Sequence, residues 1–304
     1  WSDTSLFTMR FVGTPFTFAY EQVGTNCGLI GKNAAVEVDG AAYWMSDNGF
    51  FRFAGKLESM DCLVEDYVYD DLNTTSNQFI YCGINNLFGE ITWFYPTADS
   101  NVNTRSVTYS YLDSTAKRPI WFTNDSTLFT RTTWQDSAVF GLPHATQYDA
   151  NTDVSFDVEG NTDGITYYYE HETGVNQVRL GVTAAIPADI TSGDYDITQK
   201  VVRGAATNMA DLRGDGENIM RVSRIIPDFI TQQNNVFAQL EVRDYPNDTA
   251  ASSPLGPFTL TPTTTKVDTR ARGRAIALTI SNTAVDTSWK LGTFRLDIQA
   301  GGRR

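Results

Sequence analysis

The chain has 304 residues, 41% of them hydrophobic and 19% charged, which leaves enough apolar material for a core and argues against global disorder. Its formal net charge is −13, so its acidic part should repel nucleic-acid phosphates, which argues against a DNA-reading role. No apolar run approaches the roughly 18 residues of a membrane span.

Aromatic residues make up 12% of the chain, and with abundant Thr they favour strands over helices. The charge is divided unevenly: residues 1–200 hold 10 basic and 26 acidic side chains, whereas residues 201–304 hold 13 basic and 10 acidic. The chain opens Trp1-Ser2-Asp3, without initiator Met or signal peptide, and reads as a fragment or a processed product.

The first half carries a weak repeat. Ser2-Asp3-Thr4-Ser5-Leu6-Phe7 is echoed by Ser46-Asp47-Asn48-Gly49-Phe50-Phe51 and by Asn124-Asp125-Ser126-Thr127-Leu128-Phe129, with a poorer copy ending in Asn86-Leu87-Phe88. Each copy is a polar turn entering an aromatic strand: Leu6 to Phe11, Phe50 to Phe53, Ile91 to Tyr95 and Leu128 to Trp134. A period of about 40 residues with this signature predicts propeller-like blades, whose sheet faces are buried only by stacking on neighbours. So few blades do not close a ring, which agrees with a truncated chain or a ring completed elsewhere. The competing reading of the repeat is ordinary hairpin chemistry. Between the copies, Met60, Leu63, Val64, Tyr67, Val68 and Leu72 follow helical spacing and predict one amphipathic helix near 58–72, with Asn73 to Asn77 as its stop.

The character changes at Gly141-Leu142-Pro143, which precedes a stretch rich in Asp, Asn, Thr and Gly. This predicts a domain boundary near 145, dividing the chain into 1–144 and 145–304. Beyond it the clearest strands are Ile165 to His171, Met220 to Ile226, Val236 to Tyr245, Ala275 to Ile280 and Thr293 to Ile298. Val236, Ala238, Leu240 and Val242 alternate onto one face. Short strands without intervening helices predict an antiparallel, sandwich-like domain. The expected fold class is therefore all-β: partial β-propeller-like blades, then a β-sandwich-like C-terminal domain.

Chemistry-bearing patterns are sparse. The two histidines, His144 and His171, have no zincin motif around them and read as structural or surface residues. Cys27, Cys62 and Cys82 are odd in number and widely spaced, which argues against a disulfide framework or zinc site. Asp211-Leu212-Arg213-Gly214-Asp215-Gly216-Glu217-Asn218 faintly suggests a calcium loop, but Arg213 occupies a ligand position and would repel a cation. No catalytic, cofactor or metal residue is assigned, and the chain reads as a non-enzyme. The sharpest polar feature is Arg270, Arg272 and Arg274, which strand period would place on one face. It reads either as a charged edge strand or as a strip docking an acidic neighbour through bidentate Arg–carboxylate pairs.

Several strings carry a family resemblance. Phe88-Gly89-Glu90-Ile91-Thr92-Trp93-Phe94-Tyr95-Pro96, Leu128 to Trp134, Tyr169-Glu170-His171-Glu172-Thr173-Gly174, Arg270 to Arg274 and Trp289 to Asp297 resemble the packaged-DNA stabilisation proteins of short-tailed phages, also described as tail hub or nozzle proteins. The resemblance implies a structural virion protein located in the tail and built as a ring of identical subunits below the portal and adaptor. It implies contacts with other tail proteins, and double-stranded DNA that is held and then released without specific binding. It brings no cofactor, no membrane span and no catalytic residue. The alternatives are a carbohydrate- or receptor-binding tail module and, further off, a propeller-type glycoside hydrolase using paired carboxylates.

Overall fold

The computed structural model describes residues 1–115, 117–125, 130–149, 164–179, 181–197, 218–245, 248 and 252–301. The chain is all-β and forms two compact units, Trp1–Thr173 and Gly174–Arg304.

The first unit opens with a hairpin of β1 (Ser5–Phe11) and β2 (Phe18–Thr25). A four-stranded antiparallel meander follows, made of β3 (Ala35–Val38), β4 (Ala41–Ser46), β5 (Gly49–Phe53) and β6 (Leu57–Met60). The β4–β5 turn is the two residues Asp47 and Asn48, because Ser46 pairs with Gly49. That places the polar part of the second repeat copy in a turn and its aromatics on a strand, as the sequence predicts.

The expected helix is largely absent. Leu57–Met60 is β6, paired antiparallel to β5, with Arg52 Nη1 3.1 Å from Glu58 Oε2 across the pair. Only Glu65–Tyr69, here α1, is helical. Strand pairing across the Gly55 turn outweighs a local spacing that suits a helix. The Asn73 side chain, expected to stop a helix, caps a 3-10 turn over Thr74–Phe79 by accepting from the backbone N–H groups of Thr75 and Ser76.

A second four-stranded meander comprises β7 (Tyr81–Asn85), β8 (Glu90–Tyr95), β9 (Arg105–Ser110) and β10 (Trp121–Asn124). Its first strand touches the start of the preceding meander through the parallel bridge Asn33↔Tyr81. The two meanders share one core. Phe50, Met45, Ile80, Ile91, Trp93 and Val107 are its buried centre, and the Phe50 ring lies 5.0 Å from Trp93 and 4.8 Å from Trp121. The buried Trp93 indole donates to the Ala34 carbonyl at 3.0 Å. Gly89 forms the β7–β8 turn at φ +67°, with Leu112 filling the space that a side chain there would take.

A third sheet is ordered β11 (Thr133–Gln135), β12 (His144–Asp149), β13 (Ile165–Glu170). Trp134 of β11 lies across Gly83 of β7 and donates its indole N–H to the Ile84 carbonyl at 2.6 Å. Because β12 pairs on one side with β11 and on the other with β13, the compact unit continues through Thr173. The unit boundary therefore falls at Thr173/Gly174 and not near 145.

The second unit contains β14 (Asn176–Arg179) paired with β15 (Val182–Ala185). It continues with β16 (Ala188–Thr191), β17 (Met220–Ile226), β18 (Phe229–Gln233), β19 (Val236–Arg243), β20 (Ser252–Leu260), β21 (Val267–Gly273), β22 (Ala275–Asn282), β23 (Ser288–Leu291) and β24 (Arg295–Ala300). These form sheets ordered β16-β22-β19-β20 and β21-β17-β24, with β18 paired to β23. Val236, Ala238, Leu240 and Val242 are all buried, as their alternation predicts. They share one core with Ile276, Leu278 and Ile280 of β22 and with Met220, Val222 and Ile225 of β17. A bulge between Val222 and Arg224 resets the alternation of β17, so Val222 and Ile225 both point inward despite their odd spacing.

Truncating Phe50 removes the ring on which Trp93 and Trp121 lean. Phe50→Ala should cost about 3–5 kcal/mol of stability, read as a fall in the denaturant midpoint followed by tryptophan fluorescence.

Candidate functional site

The arginine strip lies on β21. Strand geometry turns Thr269, Ala271 and Gly273 inward and leaves Arg270 and Arg272 exposed. Thr269 fixes the strand by donating its hydroxyl to the Val222 carbonyl at 2.7 Å. Arg274 is not on that face. It lies beyond the end of β21, half-buried, and its backbone N–H donates to the Arg243 carbonyl at 2.9 Å as the chain turns into β22.

A residue that sequence period does not reveal completes the basic face. Arg221 of β17 is exposed and stands directly opposite Arg272 on one side and Gln299 of β24 on the other. Two like charges in register destabilise a strand pair. Among the described residues, Arg221, Arg270 and Arg272 make no ion pair. Their neighbour Arg224 differs, with Nε 3.0 Å from Asp268 Oδ1 and Nη1 3.3 Å from Asp297 Oδ2. The Arg224 hydrogen bond holds Asp268 below the usual carboxylate range. The sheet thus ends in a neutralised zone around Arg224 and an uncompensated zone of three guanidinium groups, suited to a carboxylate- or phosphate-bearing partner.

The two histidines sit around the third sheet of the first unit. His171 is half-buried, and its Nε2 accepts from Arg131 Nε at 2.9 Å. Its ring centroid lies 4.4 Å from that of Trp134. Burial first, then the Arg131 charge, pushes the His171 pKa down to about 3, so the ring is neutral at ordinary pH and serves as an acceptor. Arg131 is buried. It also donates to the Thr130 carbonyl and to Gln147 Oε1, and it covers the Tyr169 ring at 4.4 Å. Burial lowers its pKa to about 10, and it remains charged at neutral pH. This arrangement positions a cation. His144 Nδ1 lies 2.5 Å from the Tyr168 hydroxyl, with the two rings stacked.

Burial, reinforced by Glu172 and Asp113, raises the Glu90 pKa, an acidic group that counting carboxylates in the sequence does not single out. All three cysteines are free, and burial raises each thiol, Cys62 to about 12. Among the described residues no group of His, Cys, Asp and Glu is arranged to hold a metal ion. Asp211 to Glu217 of the candidate calcium loop lie outside the described residues, as do Ser126 to Phe129 of the third repeat copy. No helix of the described residues is long and apolar enough to cross a membrane. No family model matches the chain, and no curated protein matches it.

Two measurements follow from these contacts. Replacing one of the opposed arginines, as in Arg272→Ala, should raise stability by about 0.2–1 kcal/mol at low salt. The gain should shrink as added salt screens the pair. The His171 pKa is lower folded than unfolded, so the unfolded state binds the extra proton and stability falls as pH drops below about 6.5 towards the folded value near 3. His171→Gln, which keeps an acceptor for Arg131 but does not titrate, should flatten that part of the denaturant-midpoint profile relative to the parent chain.

Proposed function

We propose that this chain is a structural virion protein of a tailed phage, a tail nozzle or hub subunit. In this reading identical copies form a ring around the DNA exit channel, below the portal and adaptor and in contact with other tail proteins. The ring helps retain packaged double-stranded DNA and then release it. The observation that carries the reading is the succession of two four-stranded antiparallel meanders, the second starting at Tyr81, which is bridged to Asn33 just ahead of the first strand of the other. Propeller blades succeed one another in this way, and a chain with few blades needs neighbours to cover its outer sheet faces. The shared core of β16-β22-β19-β20 and β21-β17-β24 supports a sandwich-like second domain.

Charge supports the same reading. An acidic wall makes few phosphate contacts and lets DNA move once a plug is gone, whereas a Lys- and Arg-rich wall would hold it. The basic face of Arg221, Arg270 and Arg272 then suits an acidic protein surface, and docking there would offset the repulsion built into the β17–β21 pair. Unlike patches meeting head to tail generate rings.

A second reading, a carbohydrate- or receptor-binding tail module, draws on the exposed Tyr168 stacked on His144 beside Phe140, a surface platform on which a sugar could lie.

Electron microscopy of the purified protein and of the particle that contains it tests the first reading. We expect closed rings of identical chains whose subunit contacts each bury more than about 1,000 Å². A protein that stays monomeric at high concentration and is missing from the tail would refute it. Saturable binding of the monomer to host-surface glycans, lost in Tyr168→Ala, would favour the second.

A further inference from the structure

The β1–β2 hairpin has two unlike faces. Cross-strand register puts Phe7 opposite Gln22, Met9 opposite Tyr20 and Phe11 opposite Phe18, so these side chains share one face. Thr8, Arg10, Ala19 and Glu21 share the other. The Phe11 and Phe18 rings meet edge to face at 6.1 Å, so the apolar face is a continuous stripe. The stripe is uncovered: Phe11 is 72% exposed, Tyr20 70% and Met9 59%, and Phe16 at the tip is 75% exposed. Only the base of the hairpin is tied down. Leu6 packs with Cys27 and Trp44, the Cys27 N–H donates to the Thr4 carbonyl, and the Trp44 indole donates to the Cys27 carbonyl at 2.9 Å.

We infer that this hairpin is a docking arm whose apolar face is covered by a second copy of this chain. Area is the first argument. Side chains of this size carry about 150–250 Å² each, so Phe7, Met9, Phe11, Phe16, Phe18 and Tyr20 together leave roughly 700 Å² of apolar surface exposed. That exceeds the largest patch of an ordinary monomer, about 300–600 Å². It matches the about 800 Å² that each partner contributes to a stable protein interface. Shape is the second. The apolar residues run the length of one face instead of collecting at the tip, which fits a surface laid against another surface. A two-stranded hairpin is marginal on its own in water, and covering its apolar face supplies the missing stabilisation.

Charge is the third argument. The stripe carries no ionic group, so it suits an equally uncharged surface, which a second copy brings. An anionic lipid surface is disfavoured by a chain of net charge −13 whose hairpin offers only Arg10 as a cation, beside Glu21. The arm also differs from the arginine face in its response to salt. Contact through Phe11 and Tyr20 should survive added chloride and strengthen in sulfate, whereas contact through Arg270 and Arg272 should weaken.

The test uses the full chain and the double variant Phe11→Asp/Tyr20→Asp, compared by sedimentation equilibrium over a concentration series. Two central aromatic anchors each contribute at least about tenfold, so self-association should weaken by at least about a hundredfold. Because a charged variant can fail for reasons of folding, a photo-activated cross-linker placed at position 16 of the otherwise unaltered chain gives a second measurement. Its adducts should map to another copy. Unchanged association in the double variant, or adducts confined to the same chain, would overturn the inference. So would pelleting with neutral phosphatidylcholine vesicles that the double variant loses. The arm and the nozzle reading fail separately. A closed ring that persists in the double variant sinks the arm alone, and a two-copy assembly joined by hairpins with nothing larger sinks the ring alone.

Discussion

A buried indole N–H must find an acceptor, because leaving it unpaired away from water costs more than the hydrogen bond returns. In the first unit that constraint applies to Trp44 and Trp93, whose bonds are buried, and the half-buried Trp121 and Trp134 bond across sheets in the same way. Trp44 of β4 donates to Cys27, just after the opening hairpin. Trp93 of β8 donates back to Ala34, before β3, and Trp121 of β10 donates back to Asp61, after β6. Trp134 of β11 donates back to Ile84 on β7. Each seam between successive sheets thus carries at least one tryptophan whose ring fills space and whose nitrogen reaches across to backbone. Apolar contact alone would let the sheets slide, and a directional bond at each seam gives them a register. Trp289 plays the corresponding part in the second unit, bonding to Asn282 Oδ1 at 2.8 Å.

The strand most legible in the sequence is the one whose burial is set by alternation, Val236 to Val242. Met220 to Ile226 is also a strand where its apolar residues suggest one, although a bulge interrupts its alternation. The segment 58–72 misled because Met60, Leu63, Val64, Tyr67 and Val68 satisfy a helical spacing while the preceding residues are recruited by β5. Leu63 is 77% exposed, so the spacing did not correspond to a buried helical stripe at all. Local period reports which residues share a face and is blind to a pairing partner. The β2 strand shows the same limit from the other side: Phe18, Tyr20 and Gln22 alternate properly, but Ala19 and Glu21 dilute the signal and the face they define is not buried. The tryptophan seams were invisible because each joins residues of separate elements.

The candidate site was half legible for a related reason. Period correctly brings Arg270 and Arg272 together, but the chain leaves the strand before Arg274, where the backbone bonds to Arg243. Arg221 reaches the same face from β17, roughly fifty positions earlier, and only strand register places it there. The functional reading therefore stands on form: the succession of meanders, the division of charge and the open basic face. The buried Arg131–His171 cluster completes the picture by showing what a satisfied cation looks like in this protein, wrapped by acceptors and an aromatic ring.

One missing atom decides how the third sheet is attached. A Cβ built on Gly83 would lie 2.5 Å from Cγ and 2.6 Å from Cδ1 of Trp134, so the indole occupies the very volume that a side chain would need. β7 works as a keyhole cut to admit that ring, and a single methyl group at position 83 is a wedge driven into it. Evicting the ring would also strand the Ile84 carbonyl and uncover the aromatic neighbour of His171. The attachment of the third sheet therefore depends on a position in the neighbouring meander where any side chain would displace the indole.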